Sequence, residues 1–334
     1  MEHTLERLLP FARNWFHNKG NRIHYVDEGP ATPKGTVVMV HGNPSWSLYY
    51  RKLIGALKQD YRCIAMDNVG CGLSDKPSDK GYDYTLARRI DDLDALLDKL
   101  GVDGKVTLVV HDWGGMIGMG YAAKHPERIE RLVILNTAAF HIPETKAFPW
   151  PLWICRNTLL GTVLVRGFNA FAGIASYVGV KRKPMDPELR RAYVAPFNSW
   201  ANRISTLRFV QDIPLYPRDR AFELVSSIEQ SLGQFTDTPT LIHWGLKDFV
   251  FDRHFLEVWR RKLPQAEVHA YEDCGHYILE DASDEVIASV CRFLGLDVTG
   301  AGVSVADAVE ADTDKADADS AKNAEASAHS AGAQ

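Results

Sequence analysis

Short apolar runs alternate with longer amphipathic stretches along most of the chain, which is the signal of strands and helices that follow one another. β-branched runs bounded by Gly, Asn or Asp indicate strands, and apolar positions that repeat at helical spacing indicate helices. The predicted strands are Arg22–Val26, Thr36–His41, Arg62–Asp67, Val106–His111, Arg131–Asn136, Thr240–Trp244 and Val268–Tyr271. The predicted helices are Trp46–Lys58, Thr85–Leu100, Gly114–Lys124, His254–Lys262 and Asp284–Phe293. This alternation predicts an α/β fold, with a mostly parallel central sheet covered by helices on both faces.

The alternation stops between Asn136 and about Pro214. From Phe148 onward this segment is strongly apolar, and Arg156 and Arg166 are its only charged residues before Lys181. We predict an inserted helical cap over the carboxyl ends of the strands, where ligands bind in open α/β sheets. The core then comprises residues 1–139 and 215–297, and the cap comprises residues 140–214. The candidate pocket residues, unless they only pack the cap on the core, are Phe148, Trp150, Trp153 and Phe168.

The two ends of the chain bear on where the protein works. The first residues contain no basic region followed by an apolar region, so we expect no secretory signal. No apolar run reaches the roughly 18 residues that a membrane-spanning helix needs. Residues 298–334 are rich in Ala, Asp and Ser and contain no aromatic residue. We therefore expect a disordered tail there, the alternative being a docking segment for a partner.

Composition narrows the classes of function. The chain has 334 residues, 46% of them hydrophobic, and a net charge of −5, which argues against broad electrostatic binding of nucleic acid. Five cysteines without a metal-binding spacing fit a reduced, cytoplasmic protein, and we expect no metal and no cofactor. The glycine-rich turn Asp67–Ser74 has no Lys-Ser/Thr after it, so we interpret it as structural rather than phosphate-binding.

The stretch Val106–Gly115 carries the strongest chemical signal. A β-branched run ends in His111, Asp112 and Trp113, and two glycines then open a helix. This is the strand–turn–helix corner of a nucleophile elbow, with an aspartate where a serine is usual. A carboxylate in that position attacks carbon and forms an ester, so we predict Asp112 as a nucleophile.

A nucleophile of this kind works with a base, and the base works with an acid that orients it. Asp248 and His276 each come just after a predicted strand, and they follow Asp112 in the required chain order. We predict His276 as the base and Asp248 as the acid. His111 and His243 fall inside strands and are expected to be structural. Cys274 is an alternative nucleophile, although small residues commonly fill tight turns before such a histidine.

A second motif, His41–Trp46, follows a predicted strand. A loop at this place supplies one backbone N–H to an anion hole, and the residue after the nucleophile supplies the other. These positions are Asn43 and Trp113, whose side chains also carry N–H donors. We predict that the amide and the indole together hold a large, weakly hydrated leaving anion.

These residues resemble the α/β-hydrolase superfamily and, within it, the haloalkane dehalogenase family, from about Phe16 to Leu296. The resemblance implies Asp112 as nucleophile, His276 as base, Asp248 as acid, and Asn43 with Trp113 as halide donors. An acid after the later strand together with an Asn–Trp pair looks like the third dehalogenase subfamily. Some relatives place the acid where Asn136 stands, but an amide has no charge with which to hold an imidazolium.

That subfamily also contains the β-lactone decarboxylases of bacterial long-chain olefin biosynthesis, which the cap stretches Ala195–Ile204 and Arg208–Pro214 resemble more than they resemble well-known dehalogenases. The resemblance implies decarboxylation of a cis-3,4-dialkyl β-lactone to a cis-alkene, with attack of Asp112 on the ring carbon that bears oxygen or on the lactone carbonyl. The alternative is hydrolysis of a haloalkane through an ester on Asp112.

Two further classes of function remain as alternatives. An epoxide hydrolase also uses an aspartate nucleophile and needs cap tyrosines as acids, for which Tyr177, Tyr193 and Tyr216 are available; such enzymes usually carry an aromatic residue at the position of Asn43. A non-enzymatic binding module would normally have lost a member of the triad. The expected partner is a small apolar substrate. The apolar cap also fits assembly with other olefin-biosynthesis enzymes or contact with a membrane.

Overall fold

The computed structural model describes residues 2–297, so the predicted tail, residues 298–334, lies outside the described residues. The strands are β1 Asn14–Asn18, β2 Asn21–Glu28, β3 Thr36–Val40, β4 Arg62–Met66, β5 Val106–Asp112, β6 Ile129–Thr137, β7 Thr240–Gly245 and β8 Glu267–Tyr271. The helices are α1 Glu2–Leu8, α2 Arg51–Leu57, α3 Leu86–Lys99, α4 Trp113–Lys124, α5 Trp150–Asn157, α6 Leu159–Thr162, α7 Ala170–Val178, α8 Pro187–Val194, α9 Ile204–Gln211, α10 Phe222–Ser231, α11 Arg253–Lys262, α12 Ile278–Asp281 and α13 Ser283–Phe293.

The eight strands form one sheet in the order β1-β2-β4-β3-β5-β6-β7-β8. The first two pairs, β1 with β2 and β2 with β4, are antiparallel, and all other neighbours are parallel. This confirms the predicted α/β fold. The carboxyl ends of β3, β5, β6 and β7 therefore meet at one edge of the sheet, where ligand sites form in such folds.

Each face of the sheet packs against its own apolar layer. Alternate residues of β3 contribute to different layers, Val38 and Val40 to one and Val37 and Met39 to the other, as the period of a strand requires. Helices α3, α4, α10 and α11 cover the first face, and α2 and α13 cover the second. Both layers contain fully buried strand residues, so the central strands are apolar on both sides.

Two local differences from the predicted elements have simple causes. Strand β1 was not predicted, because Asn14–Asn18 contains no β-branched residue; it forms by pairing with β2 through a tight turn in which Gly20 has φ 82°. The predicted helix Trp46–Lys58 begins with a 3₁₀ turn over Ser47–Tyr50 before α2 starts.

Helices α5 to α9 follow β6 and precede α10, and they occupy most of the segment predicted as a cap. A cluster of buried polar residues joins one of these helices, α8, to the core. Tyr193 on α8 donates to Glu280 on α12 at 2.5 Å, and Glu280 accepts two hydrogen bonds from Arg51 at 2.6 and 2.9 Å. The next residue, Asp281, accepts the backbone N–H groups of Lys181 and Arg182. The cap is thus tied to the segment that follows His276.

Between residues 2 and 297, no single helix has the length and apolar composition to cross a bilayer. The consecutive stretches Leu159–Gly167 and Ala170–Val178, bent by 71° at their junction, meet that criterion only as a pair.

Candidate active site

The corner between β5 and α4 has the backbone geometry of a nucleophile elbow. Asp112 has φ 53° and ψ −129°, a conformation that non-glycine residues rarely adopt and that persists only where neighbours enforce it. Two contacts supply that enforcement. Gly114 packs so closely on the carbonyl of Val40 that a Cβ would overlap it. Thr137 donates its hydroxyl hydrogen to the Asp112 carbonyl. The turn therefore presents the Asp112 side chain above the strand ends.

The two carboxylate oxygens of Asp112 have different surroundings. Oδ1 accepts the backbone N–H of Asn43 at 2.5 Å, and the backbone N–H of Trp113 also bonds to the carboxylate. Gly42 allows this approach, since any Cβ at this position would collide with Oδ1. Oδ2 lies 3.7 Å from Nε2 of His276. One oxygen is thus fixed by the backbone, and the other faces the histidine.

The structure brings the two other predicted triad residues to the same place. Nδ1 of His276 is 2.8 Å from Oδ2 of Asp248. The backbone N–H of Val250 donates to the other Asp248 oxygen at 2.8 Å, which holds the carboxylate in the plane needed for this contact. Asp112 and His276 are 7% exposed and Asp248 is 3% exposed. The arrangement is a buried carboxylate–imidazole–carboxylate line.

Two residues that support this line were not predicted to do so. Asn136, at the end of β6, donates from Nδ2 to Asp248 at 3.1 Å and to the carbonyl of Gly245 at 3.0 Å. His111, in β5, bonds through Nε2 to the carbonyl of His276 at 2.9 Å, with its ring 4.6 Å from the His276 ring. Both orient the triad from neighbouring strands. His111 was interpreted only as structural, and nothing in the pattern of a strand residue indicates which loop it will contact.

Burial and charge set the protonation of the site. Burial raises the pKa of Asp112 to about 6, although His276 and the two backbone N–H groups partly oppose that rise. Burial disfavours a charge on His276, but Asp248 and Asp112 outweigh it and raise the pKa of the imidazole. Burial and the adjacent His276 hold the pKa of His111 well below its usual value. His111 is therefore neutral and adds no second positive charge beside His276.

The raised pKa of Asp112 predicts an acidic limit to its reactivity. We expect the rate at which a bromoalkane alkylates Asp112 to be constant above neutrality and to fall below about pH 6, because the protonated carboxyl is a poor nucleophile. Well below that value the fall should be about tenfold per pH unit. The initial rate of halide release at a series of pH values measures this rate. A pH-independent rate down to the ordinary pKa of an aspartate would contradict the assignment.

An apolar cavity opens above the triad between core and cap and holds about 950 Å³ of unfilled space, including its mouth. Asp112, His276, Asn43 and Trp113 line its floor. The apolar residues around its walls include Phe140, Ile142, Leu152, Phe171, Val210, Ile213, Phe249 and Phe251. The site thus joins a few polar groups to a wall suited to hydrocarbon.

Of the four cap residues predicted to line a pocket, only Phe148 does so. Trp150 is 73% exposed, Trp153 is 47% exposed and Phe168 is 75% exposed, and none of them borders the cavity, which corrects the prediction for these three. The cause is helical phase. On α5 the inward position is Leu152, so Trp150 and Trp153 point outward. Phe168 lies just before α7 begins and is exposed, whereas Phe171 on α7 lines the cavity.

The side chains of the two predicted anion donors also reach the cavity. Nδ2 of Asn43 donates one hydrogen to the backbone carbonyl of Thr206 in α9 at 3.1 Å, which fixes the amide and leaves its second N–H available. The ring of Trp113 packs against Phe209, with centroids 5.5 Å apart. Helix α9 of the cap therefore positions both donors, a contribution that the sequence did not indicate.

The residues of the alternative mechanisms are placed differently. The Cys274 thiol is buried outside the cavity, and burial raises its pKa to about 12, so it is a poor nucleophile. His243 bonds to the Tyr271 hydroxyl, away from the triad. The three cap tyrosines considered as epoxide-opening acids do not line the cavity, since one is bonded to Glu280 and the others are exposed; they are Tyr193, Tyr177 and Tyr216.

Comparison with known proteins places this fold and site in a family. Residues 35–283 match a family model described as alpha/beta hydrolase fold. The chain belongs to the α/β-hydrolase fold family. The solved structure of the haloalkane dehalogenase DatA from Agrobacterium tumefaciens superposes with a TM-score of 0.76 at 24% identity, covering 87% of this chain and 98% of that one. At that level of identity the likeness shows the shared fold.

The match to several curated relatives extends over nearly the whole length of each relative. A protein of Shewanella oneidensis named cis-3-alkyl-4-alkyloxetan-2-one decarboxylase is 68% identical over 290 residues, 87% of this chain and 90% of the relative. A protein of the same name from Xanthomonas campestris is 51% identical over 280 residues, 82% and 93% of the two chains. Haloalkane dehalogenase 2 of Mycobacterium tuberculosis is 30% identical over 293 residues, 86% and 97%. The chain is therefore an α/β-hydrolase-fold enzyme, as the resemblance implied.

Proposed function

We propose that this enzyme decarboxylates cis-3,4-dialkyl β-lactones to cis-alkenes and CO2. The observation that carries the substrate class is the 68% identity, over nearly the full relative, to a protein named for that reaction. The geometry supports it independently. A carboxylate nucleophile stands at the floor of an apolar cavity, beside two side-chain N–H donors. A dialkyl lactone is a small polar ring with two hydrocarbon arms, which matches that distribution of polar and apolar surface.

In the first step Oδ2 of Asp112 attacks the ring carbon that bears oxygen, opposite the ring C–O bond. That bond breaks, and its electron pair leaves on the ring oxygen, which becomes part of a free carboxylate. Oδ1 stays bonded to the backbone of Asn43. The free N–H of the Asn43 amide and the indole N–H of Trp113 then receive the new carboxylate. Such fixed donors contribute about 3 kcal/mol each in comparable anion holes.

In the second step the bond between the neighbouring ring carbon, C3, and the carboxylate breaks and releases CO2. The freed electron pair forms the alkene as the ester bond to Asp112 breaks, so Asp112 returns as a carboxylate. Inversion in the first step and anti elimination in the second convert a cis-lactone into a cis-alkene. No water and no proton are consumed, so the imidazolium of His276 serves chiefly to stabilise and orient Asp112.

Attack at the lactone carbonyl fits the site less well. It would expel an alkoxide that must take a proton, and the resulting anhydride would lack the electron pair that forms the alkene. Attack at the ring carbon instead sends negative charge to a carboxylate, a much weaker base. For this reason the mechanism proposed here begins with carbon–oxygen cleavage at the alkyl side of the ring.

Haloalkane hydrolysis is the second candidate function, favoured by the dehalogenase relatives at 30% identity. The same parts would act with one addition. Asp112 would displace halide toward Asn43 and Trp113, and His276 would then remove a proton from water for attack on the ester. The two reactions thus share the first step and differ in how the ester is resolved.

We place the enzyme in the cytoplasm, where a chain with five free cysteines stays reduced. Its partner is a small apolar substrate bound without a cofactor. The exposed apolar side chains of the cap also support association with a further surface, one candidate being the other enzymes of olefin biosynthesis.

The decisive assay supplies purified enzyme with a cis-dialkyl β-lactone and measures CO2 and alkene. We expect one CO2 and one cis-alkene per lactone consumed, because inversion followed by anti elimination preserves the cis relation of the two alkyl arms. A matched series of bromoalkanes, assayed for halide release, tests the alternative. Brisk halide release without alkene from any β-lactone would overturn the proposal.

A further inference from the structure

The cap exposes a set of large apolar side chains that the catalytic mechanism does not use. Leu159 is 86% exposed and Phe168 is 75% exposed, values unusual for residues of their type. With four exposed neighbours they form what is called here the apolar cap face, consisting of Leu159, Leu160, Val163, Phe168, Ile174 and Trp200. Exposure of apolar surface to water is unfavourable, so a contact that covers this face lowers the free energy.

Several members of this face lie close together. Val163 lies one turn after Leu159, and a Cβ at Gly167 would sit 3.7 Å from Val163 and 3.8 Å from Trp200, so these two side chains border the same gap. The helical stretch Leu159–Gly167 then bends by 71° into α7. Phe168 stands at that bend, next to Asn169 with its φ of 52°. The chain therefore turns sharply at Phe168, whose ring is largely exposed.

The net charge beside the face is positive. Arg203 bonds to the carbonyls of Arg166 and Gly167. Asp79, the carboxylate that acts on Arg166, is itself paired with Arg208. Residues 147–180 contain two arginines and no aspartate or glutamate, in a chain of net charge −5. Arg166 lies over the ring of Trp200 at 4.8 Å, and Arg190 lies over the ring of Tyr177 at 4.2 Å. Aromatic and aliphatic side chains beside arginines are typical of surfaces that rest at the boundary between lipid headgroups and acyl chains. Anionic lipid would complement the local positive charge.

The same helices separate this face from the catalytic cavity. Phe171 and Ala175 on α7 line the cavity, whereas Ile174 on the same helix is exposed. On α5, likewise, Leu152 lines the cavity and Trp153 is exposed. One layer of helix thus lies between the surface and the hydrocarbon-binding wall.

We propose that the apolar cap face docks the enzyme on the surface of an anionic lipid bilayer. Docking places α5 and α7 against the acyl chains, so that a long-chain lactone enters the cavity and the alkene leaves it without crossing water. This second part rests on the proposed function, whereas docking itself does not.

The test uses the full chain and vesicles of phosphatidylglycerol and phosphatidylcholine, with co-flotation as the readout. We expect wild-type protein to float with anionic vesicles. The double variant Leu159→Glu/Leu160→Glu should bind these vesicles at least about tenfold more weakly. Glutamates in the first turn of a helix are favourable, so this variant should keep its fold. The matched control is Trp15→Glu, which places a glutamate at a 40% exposed aromatic residue on β1, outside the cap.

Activity then separates docking from function. With a short, water-soluble cis-β-lactone, the double variant should decarboxylate at the wild-type rate. With a long-chain lactone carried in vesicles, its rate should be at least about tenfold lower. Absence of wild-type flotation, or equal flotation of both proteins, overturns docking. So does lipid-free self-association that the double variant abolishes, because the face would then join two protein copies. Failure of both lactones while flotation persists would overturn the function and leave docking intact.

Discussion

Replacing Asp112 by asparagine should abolish CO2 release from a cis-β-lactone, with a fall in kcat of about 10⁴-fold or more. The amide keeps the shape of the side chain and still accepts the backbone N–H of Asn43, but it has no anionic oxygen for attack on carbon. Initial rates of CO2 and alkene formation measure the effect, and circular dichroism checks the fold.

The matched control for this substitution is Asp273→Asn. Asp273 lies three residues before His276, is paired with Arg182 and has a side chain that is 57% exposed, so its loss removes a charge near the site but no contact with the cavity. Its activity should stay within about twofold of wild type, since exposed ion pairs of this kind contribute little. An Asp112→Asn enzyme that keeps a tenth of the wild-type rate would refute the nucleophile assignment.

Replacing His276 by alanine should separate the two chemistries of the site. A bromoalkane should release one equivalent of halide and leave its alkyl group on Asp112, because hydrolysis of the ester needs a base and should slow by about 10²–10⁴-fold. The adduct is measured as added mass on the intact protein. Decarboxylation transfers no proton, so we expect the variant to retain it within about tenfold of wild type.

Asp248→Asn provides a graded comparison, since it leaves the imidazole but removes the charge that raises the His276 pKa. It should slow ester hydrolysis less than His276→Ala does. Two results would count against the mechanism. Halide turnover by His276→Ala without an adduct would deny the ester, and loss of decarboxylation as complete as in Asp112→Asn would indicate that His276 donates a proton during lactone opening.

The elements whose patterns are local were predictable. A β-branched run that stops at a polar residue and is followed by glycines specifies a strand, a corner and a helix, which is why the setting of Asp112 follows from the sequence. Asp248 and His276 were predictable because each follows a strand, and parallel strands bring their carboxyl ends to one edge. Strand β1 lacked a local signal, since it depends on the pairing with β2.

The features that could not be predicted from the sequence depend on contacts between elements that are distant along the chain. The support of Asp248 by Asn136 requires β6 and β7 to be neighbours in register. The fixing of the Asn43 amide by Thr206 requires a cap helix to lie on the core. The outward phase of Trp150 and Trp153 was hidden because nearly every position of α5 is apolar, so periodicity alone does not separate its two faces.

The tie between the cap and α12 couples the position of the cap to the catalytic histidine. Glu280 and Asp281, which hold Tyr193 and the backbone of Lys181 and Arg182, lie four and five residues after His276. A swing of the cap about its first end would drag the catalytic histidine out of line with Asp248. Separation of α8 from α12 would therefore require the buried contacts of Glu280 and Asp281 to break, so these contacts protect the alignment of the reacting groups while a substrate enters and leaves.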